Sequence, residues 1–310
     1  MNEKIKEFFS FSSDHWFHLR FFNRSLPWPA LGTKLILCMI MLVACSGRNG
    51  ALPFRIGSMP IGDFPLYFTD SLGGTLNRFD RSGAVTTVAS GLDDPRGVAI
   101  DQLQNIYVAE YGGNRILKVD HTSGAISIVN DLISSPWSLA IDSQNEVYAT
   151  SGSDLIRVLD NSKVKTFDSA PLALAFGVDD QLIVALSDGF VYWGNPSSDQ
   201  KVSVNSVSAL AVDLSGRVYI AEAGGANIYR YHQRSPGKRS CLPTADCSSE
   251  YPTILNPVGI AVDPAGEVYV AESRGDEDYF GITRINLKGD VEVVYKNSNV
   301  KVQYLAFTKY

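Results

Sequence analysis

Residues 95–119 read PRGVAIDQLQNIYVAEYGGNRILKV. A small apolar segment closes on Asp101, a second, Ile106 to Glu110, is centred on Tyr107, and a third begins at Asn114-Arg115-Ile116. Period-two alternation and β-branched residues mark such segments as strands rather than helices. The unit recurs. GVAID (97–101), SLAID (138–142), ALAFG (173–177), ALAVD (209–213), GIAVD (259–263) and YLAFT (304–308) each centre on an alanine, and those alanines are spaced by 41, 35, 36, 50 and 45 residues. A period near 40 residues of four-stranded units is the signature of propeller blades. A second strand centred on Tyr107, Tyr148, Ile183, Tyr219 and Tyr269 follows the first five repeats, and PLYFTD around Tyr67 supplies a sixth.

The two ends do not match as they stand. The first repeat, from Tyr67, lacks an inner strand, whereas Val302–Lys309 is an inner strand with nothing after it. Pairing the two satisfies both edges and closes the ring. The expected fold is therefore an all-β, six-bladed β-propeller of four-stranded blades, with blade one completed by the C-terminal strand. Its columns follow from geometry. Inner strands converge on the axis, so Ala99, Ala140, Ala175, Ala211, Ala261 and Ala306 stand where room is least, and Gly97, Ser138, Ala173, Ala209 and Gly259 two residues earlier are also small; Tyr304 is the exception. The tyrosine column lies farther out, where diverging blades leave a gap that rings fill. Turns such as Asp213–Gly216 and Asp263–Gly266 suit tight hairpins, Asp bonding the turn backbone and Gly accepting positive φ.

Pro95-Arg96-Gly97-Val98-Ala99-Ile100-Asp101, Ile106-Tyr107-Val108-Ala109-Glu110 and Asn114-Arg115-Ile116 resemble the NHL-repeat propellers. The resemblance extends over about residues 65–310, is clearest in blades two, five and six, and fades in blade four. It implies a fold that hosts enzymes, binding platforms and scaffolds alike. Six-bladed gluconolactonase and senescence marker relatives use an acidic entry-strand residue with Asn and Asp on a divalent ion, but their Glu-Gly-Pro-x-Trp signature is absent. Amidating lyases use a His-ligated zinc and virginiamycin-type lyases a His base. Here His15 and His18 precede the domain, while His121 and His232 fall on the predicted opposite face.

In such a ring, the loops entering inner strands and those leaving second strands share one face around the channel mouth. The entry column is Arg96, Trp137, Leu172, Ser208, Val258 and Gln303; the exit column is Asp70, Glu110, Ser151, Leu186, Glu222 and Glu272. Arg96, Trp137 and Gln303 break an apolar or small trend and are ligand candidates. The four exit acids read either as a cation or substrate ring or, the expected case, as acids bonding backbone N–H groups of their own turns. Glu110, Glu222 and Glu272 are the metal candidates, with Ca2+ the ion that oxygen donors suit. Glu272–Asp278 packs four carboxylates into seven residues and is expected to be a solvated acidic loop.

The remaining signals give an address. The one strongly apolar run, LILCMIMLVA at 35–44, is too short to span a bilayer and follows Lys34, as a signal-peptide core does. Leu42-Val43-Ala44-Cys45 resembles a bacterial lipobox, which implies lipidation of Cys45. Residues 1–44 are thus an N-terminal extension and signal peptide, 45–60 a tether, and 61–310 the propeller. The location this implies is the bacterial cell envelope, lipid-anchored, periplasmic or surface-exposed. Cys241 and Cys247, in a blade-five insert with Arg234, Lys238 and Arg239, are expected to form a disulfide in an exported protein. With 27 Lys and Arg against 33 Asp and Glu, a net charge of -6 argues against gripping nucleic acid. The expected function is a membrane-anchored platform binding a protein, glycan or small ligand, with a Ca2+-dependent lactonase as the alternative.

Overall fold

The computed structural model describes residues 65–80, 82–194, 201–223, 228–232, 235–242, 254–274 and 279–307. The chain divides into two compact units, Met1–Ser58 and Met59–Tyr310, and all described residues belong to the second. The signal-peptide, lipidation and tether expectations for residues 1–60, together with Cys247 and Asp276–Asp278, lie outside the described residues.

Strands follow one another as the repeats predict. Blade one holds β1 (Leu66–Asp70), β2 (Thr75–Phe79) and β3 (Val85–Ser90); blade two β4 (Pro95–Ile100), β5 (Ile106–Glu110), β6 (Arg115–Val119) and β7 (Ile126–Asn130). Blade three holds β8 (Leu139–Ile141), β9 (Val147–Ser151), β10 (Asp154–Arg157) and β11 (Ser162–Thr166), and blade four β12 (Pro171–Phe176), β13 (Leu182–Leu186), β14 (Phe190–Trp193) and β15 (Lys201–Ser203). Blade five comprises β16 (Val207–Val212), β17 (Arg217–Glu222), β18 (Ile228–His232) and β19 (Ser235–Leu242); blade six comprises β20 (Pro257–Val262), β21 (Val268–Arg274), β22 (Tyr279–Ile285) and β23 (Val291–Asn297). The last strand, β24 (Val302–Phe307), pairs antiparallel with β1, placing Ala306 opposite Tyr67 and Leu66 opposite Phe307. Six four-stranded antiparallel sheets result, and C-terminal closure of blade one is as expected. Among the described residues no helix is long and apolar enough to cross a membrane.

Register joins the two sequence columns. The inner-strand alanines face the second-strand column directly: Ala99 opposite Tyr107, Ala140 opposite Tyr148, Ala175 opposite Ile183, Ala211 opposite Tyr219 and Ala261 opposite Tyr269. The core is six seams rather than one mass, since each buried cluster draws on two neighbouring blades. Trp193, fully buried, fills the seam of blades four and five edge-on to Tyr231, their centroids 5.8 Å apart. Convergence at the axis explains the smallest residues. A Cβ on Gly97 would stand 2.8 Å from the carbonyl oxygen of Trp137, and one on Gly259 would stand 2.7 Å from that of Gln303. Gly97 N–H donates to that Trp137 oxygen across 2.9 Å, so the seam between blades two and three is sealed by backbone.

Candidate functional site

Strand direction puts the entry and exit columns on one face, because the start of each inner strand pairs with the end of the second: Pro95 with Glu110, Val207 with Glu222, Pro257 with Glu272 and Val302 with Asp70. A register shift lies at the entry position in blades one, two, four, five and six. Blade three does the same by other bonds: Trp137 N–H donates to Thr150 O at 2.9 Å, while Thr150 N–H donates to Ser138 O at 3.0 Å, so two residues face one. Bulges re-aim side chains. A regular inner strand would have to share its side chains between the two flanking seams; the bulge gives the entry column its own direction. The sequence shows no length anomaly here, because the extra residue is present in every repeat.

Arg96, the entry residue of blade two, has the densest surroundings. Its guanidinium lies 4.6 Å from the centroid of Trp137 and 5.1 Å from that of Tyr111, while the two rings meet edge-on at 5.6 Å. Nη2 donates to Asp94 Oδ2 at 2.7 Å, and the Arg96 carbonyl accepts from Thr69 Oγ1 at 2.7 Å. Asp94 is held at φ 45°, a left-handed conformation that Asp tolerates better than most residues. Arg96 Nε is buried and has no hydrogen-bond partner. Tyr111 was not among the sequence candidates; its position directly after the exit acid of the same blade is the signal that would have found it.

Tyr304, the large exception in the small column, closes the axis. It stands on the inner strand of blade one, yet its hydroxyl reaches the Leu172 carbonyl of blade four, the blade opposite, at 3.3 Å. Burial pushes the phenol pKa well up, opposed by the nearby Arg96 charge and by hydrogen bonding with Trp137 and Ser138. Its backbone N–H donates to Thr69 Oγ1 at 3.3 Å, so the plug is fixed to the same threonine that holds Arg96.

The structure does not gather the exit acids. Glu110, fully buried, accepts from the Asp93 N–H at 2.8 Å and pairs with Arg115. Glu272, equally buried, accepts from the Leu255 N–H at 2.9 Å and from the Thr283 hydroxyl. Asp70 accepts from Leu72 N–H at 3.0 Å and Lys301 N–H at 2.8 Å, and Glu222 accepts from the Tyr229 hydroxyl at 2.9 Å. Glu110 and Glu272 therefore bond the loop entering their own blade rather than their own turn, and Asp70 bonds both. Among the described residues no group of three or more His, Cys, Asp or Glu is placed to share a metal ion. Gln303 is buried and donates to Ser71 Oγ at 3.2 Å. Of the candidates, the structure brings Arg96 and Trp137 together and turns the others to bonds within the fold. His121 follows β6 and His232 ends β18, both on the face opposite the mouth.

Together these features define a six-bladed β-propeller whose mouth carries an arginine–aromatic cluster. The NHL repeat model matches residues 92–119, the stretch spanning Arg96, Tyr111 and the first three strands of blade two. Comparison with curated proteins finds no match. Among solved structures the chain is similar to one from a nidogen/laminin complex, with TM-score 0.66 and 11% identity over 79% of this chain and 98% of that one. It is similar to the gluconolactonase from Xanthomonas campestris, with TM-score 0.56 and 14% identity over 84% of this chain and 91% of that one. A streptogramin B lyase aligns with TM-score 0.54 and 16% identity over 80% and 88%. At these identities the likeness is one of fold.

Proposed function

We propose that this protein is an extracytoplasmic binding platform, held to a membrane through lipid on Cys45, whose contact point is the Arg96–Trp137–Tyr111 cluster. The observation that carries the reading is the Arg96 guanidinium, partly exposed and set against two aromatic rings. Arg, Trp and Tyr are the residues that dominate binding hot spots, because they offer large rigid area together with directed donors. A protein or glycan partner presenting a carboxylate or hydroxyl acceptor would pair with the exposed part of that guanidinium. The similarity to a propeller from a nidogen/laminin complex is consistent with a protein partner. The exit acids favour binding over Ca2+-dependent hydrolysis, since each already accepts a hydrogen bond from its own blade. The reading includes a Cys241–Cys247 disulfide stiffening the blade-five insert; Cys241 is buried.

The test is to probe envelope proteins and a glycan array with the wild-type chain and with Arg96→Ala and Trp137→Ala. Each substitution is expected to weaken the partner found by roughly 2 kcal/mol or more, a hot-spot loss, while thermal melting stays near wild type. Melts are also expected to be unchanged by added Ca2+. Binding that is indifferent to both substitutions, or a Ca2+-dependent lactone hydrolysis lost in Glu110→Gln, would overturn the reading.

A further inference from the structure

The face opposite the mouth carries a feature that turn formation does not require. Leu103, Val178 and Leu214 sit on the turns between first and second strands of blades two, four and five, and Leu159 and Leu287 on the turns between third and fourth strands of blades three and six. Strand direction puts all five turns on this one face. Their exposures are 72%, 50%, 54%, 75% and 67% respectively. The turns are built by other residues: in blade five, Asp213 accepts from the N–H groups of Ser215 and Arg217, and Gly216 takes φ 74°. Leu214 contributes nothing to that scheme. Exposed aliphatics scattered singly are ordinary; these five stand on separate turns, but they share one face, against two comparably exposed leucines, Leu72 and Leu132, on the mouth face.

Two further observations point to what covers it. The axial channel opens on this face as a cavity of about 200 Å3, lined by Leu139, Leu174, Phe176 and Leu210 together with Asp142, Asp180, Asp213 and Asp263, so apolar side chains continue inward alongside carboxylates. The chain also joins the propeller here. Leu66 pairs with Phe79 and with Phe307, the ends of β2 and β24 on this face, so the described chain begins at Pro65 on the same face as the five tips. From Cys45 to Pro65 is 20 residues, a reach of at most about 70 Å when fully extended.

We propose that the tips of Leu103, Leu159, Val178, Leu214 and Leu287 dock on a zwitterionic lipid surface, so that the propeller sits with this face on the bilayer and Arg96 directed away from it. This rests on the reading that Cys45 carries the membrane anchor. Separate protruding tips fit between headgroups better than they form one flat contact with a second protein. The aspartates that alternate with them, Asp101, Asp142 and Asp213, are tied to their own turns and make an anionic surface the poorer match.

The test uses the full chain reconstituted in phosphatidylcholine vesicles, with an environment-sensitive fluorophore on Leu214→Cys or, on the mouth face, on Leu132→Cys, and the parent chain as the labelling background. Expected are a blue shift and quenching by spin-labelled lipid at 214 and neither at 132. Leu103→Ser with Leu159→Ser and Leu287→Ser should lower the quenching at 214 by roughly tenfold, because interfacial affinity scales with buried apolar area. A probe at 214 that stays in water overturns the docking face. A blue shift in lipid-free solution that grows with protein concentration also overturns it, in favour of a second copy. Acylation of Cys45, read by mass spectrometry of the N-terminal peptide, decides the anchor independently, so failure of one reading is separable from failure of the other.

Discussion

A single tyrosine shows what a repeat position does. Tyr219 donates to Asp213 Oδ2 at 3.1 Å, and the same bond recurs as Tyr107 to Asp101 at 3.3 Å and Tyr148 to Asp142 at 3.2 Å. The aspartate that shapes the inner turn thus also holds the ring that fills the seam. The tyrosine column was legible as gap-filling aromatics; the phenol's partner was not, because Asp and Tyr, six positions apart, are brought together only by the hairpin. Burial, reinforced by Asp213, pushes the Tyr219 pKa up to about 12, and burial with Asp101 does the same for Tyr107. Below the unfolded value near 10 the phenol is neutral in both states and its contribution is complete. Between about 10 and 12 the unfolded chain ionises while the folded one keeps its proton, so stability falls as pH rises. Urea midpoints measured from pH 9 to 12 should therefore decline, and Tyr219→Phe should shorten that decline while lowering stability at pH 8. An unchanged decline would show that Tyr219 is not one of the groups responsible.

At the scale of the strand, the inner edge is governed by backbone meeting backbone. The small column was readable from six aligned segments, and the reason it must be small is now specific: at Gly97 and Gly259 the atoms a methyl would strike are main-chain oxygens of the next blade, which cannot rotate away. Gly97→Ala is expected to cost about 1–3 kcal/mol, the range for overpacking a close contact. Hydrogen exchange should show the loss concentrated in β4 and β8 rather than spread around the ring, and a change below the error of a urea melt would refute the argument. The bulges were illegible for the opposite reason. A feature repeated in every blade leaves no contrast between repeats, and the entry column could be located but its direction could not. The same limit governed the acids. Glu110 and Glu272 stood out by charge, yet their partners, Asp93 and Leu255, are 17 residues upstream and meet them only once the blade is paired.

For the whole molecule, the counting of unmatched ends was enough to place β24 beside β1, because ring closure is a matter of how many strands remain unpaired and not of any one side chain. Closure has a kinetic consequence. Opening the ring between blades six and one requires stripping β24 from β1, a ladder that joins residues some 240 apart in sequence and seats the Tyr304 bridge to Leu172. The other seams are held by side-chain packing, by connecting chain and, between blades two and three, by the Gly97–Trp137 backbone bond. If residues 300–310 were moved ahead of Pro65 and joined to it by a short hairpin, the Phe307–Leu66 register would be kept and every sheet would retain its four strands. Such a chain would hold the same packed surface, but blade one would be a local unit and the seam with blade six would have no strand spanning it. Unfolding is therefore expected to speed by roughly tenfold or more with refolding little changed, since interactions made late on the folding path act chiefly on the unfolding rate. Stopped-flow unfolding in urea measures this directly. Equal unfolding rates would mean that packing along the seam, and not the closing strand, holds the ring, and Tyr304→Ala in the unpermuted chain would then be expected to leave the rate unchanged as well.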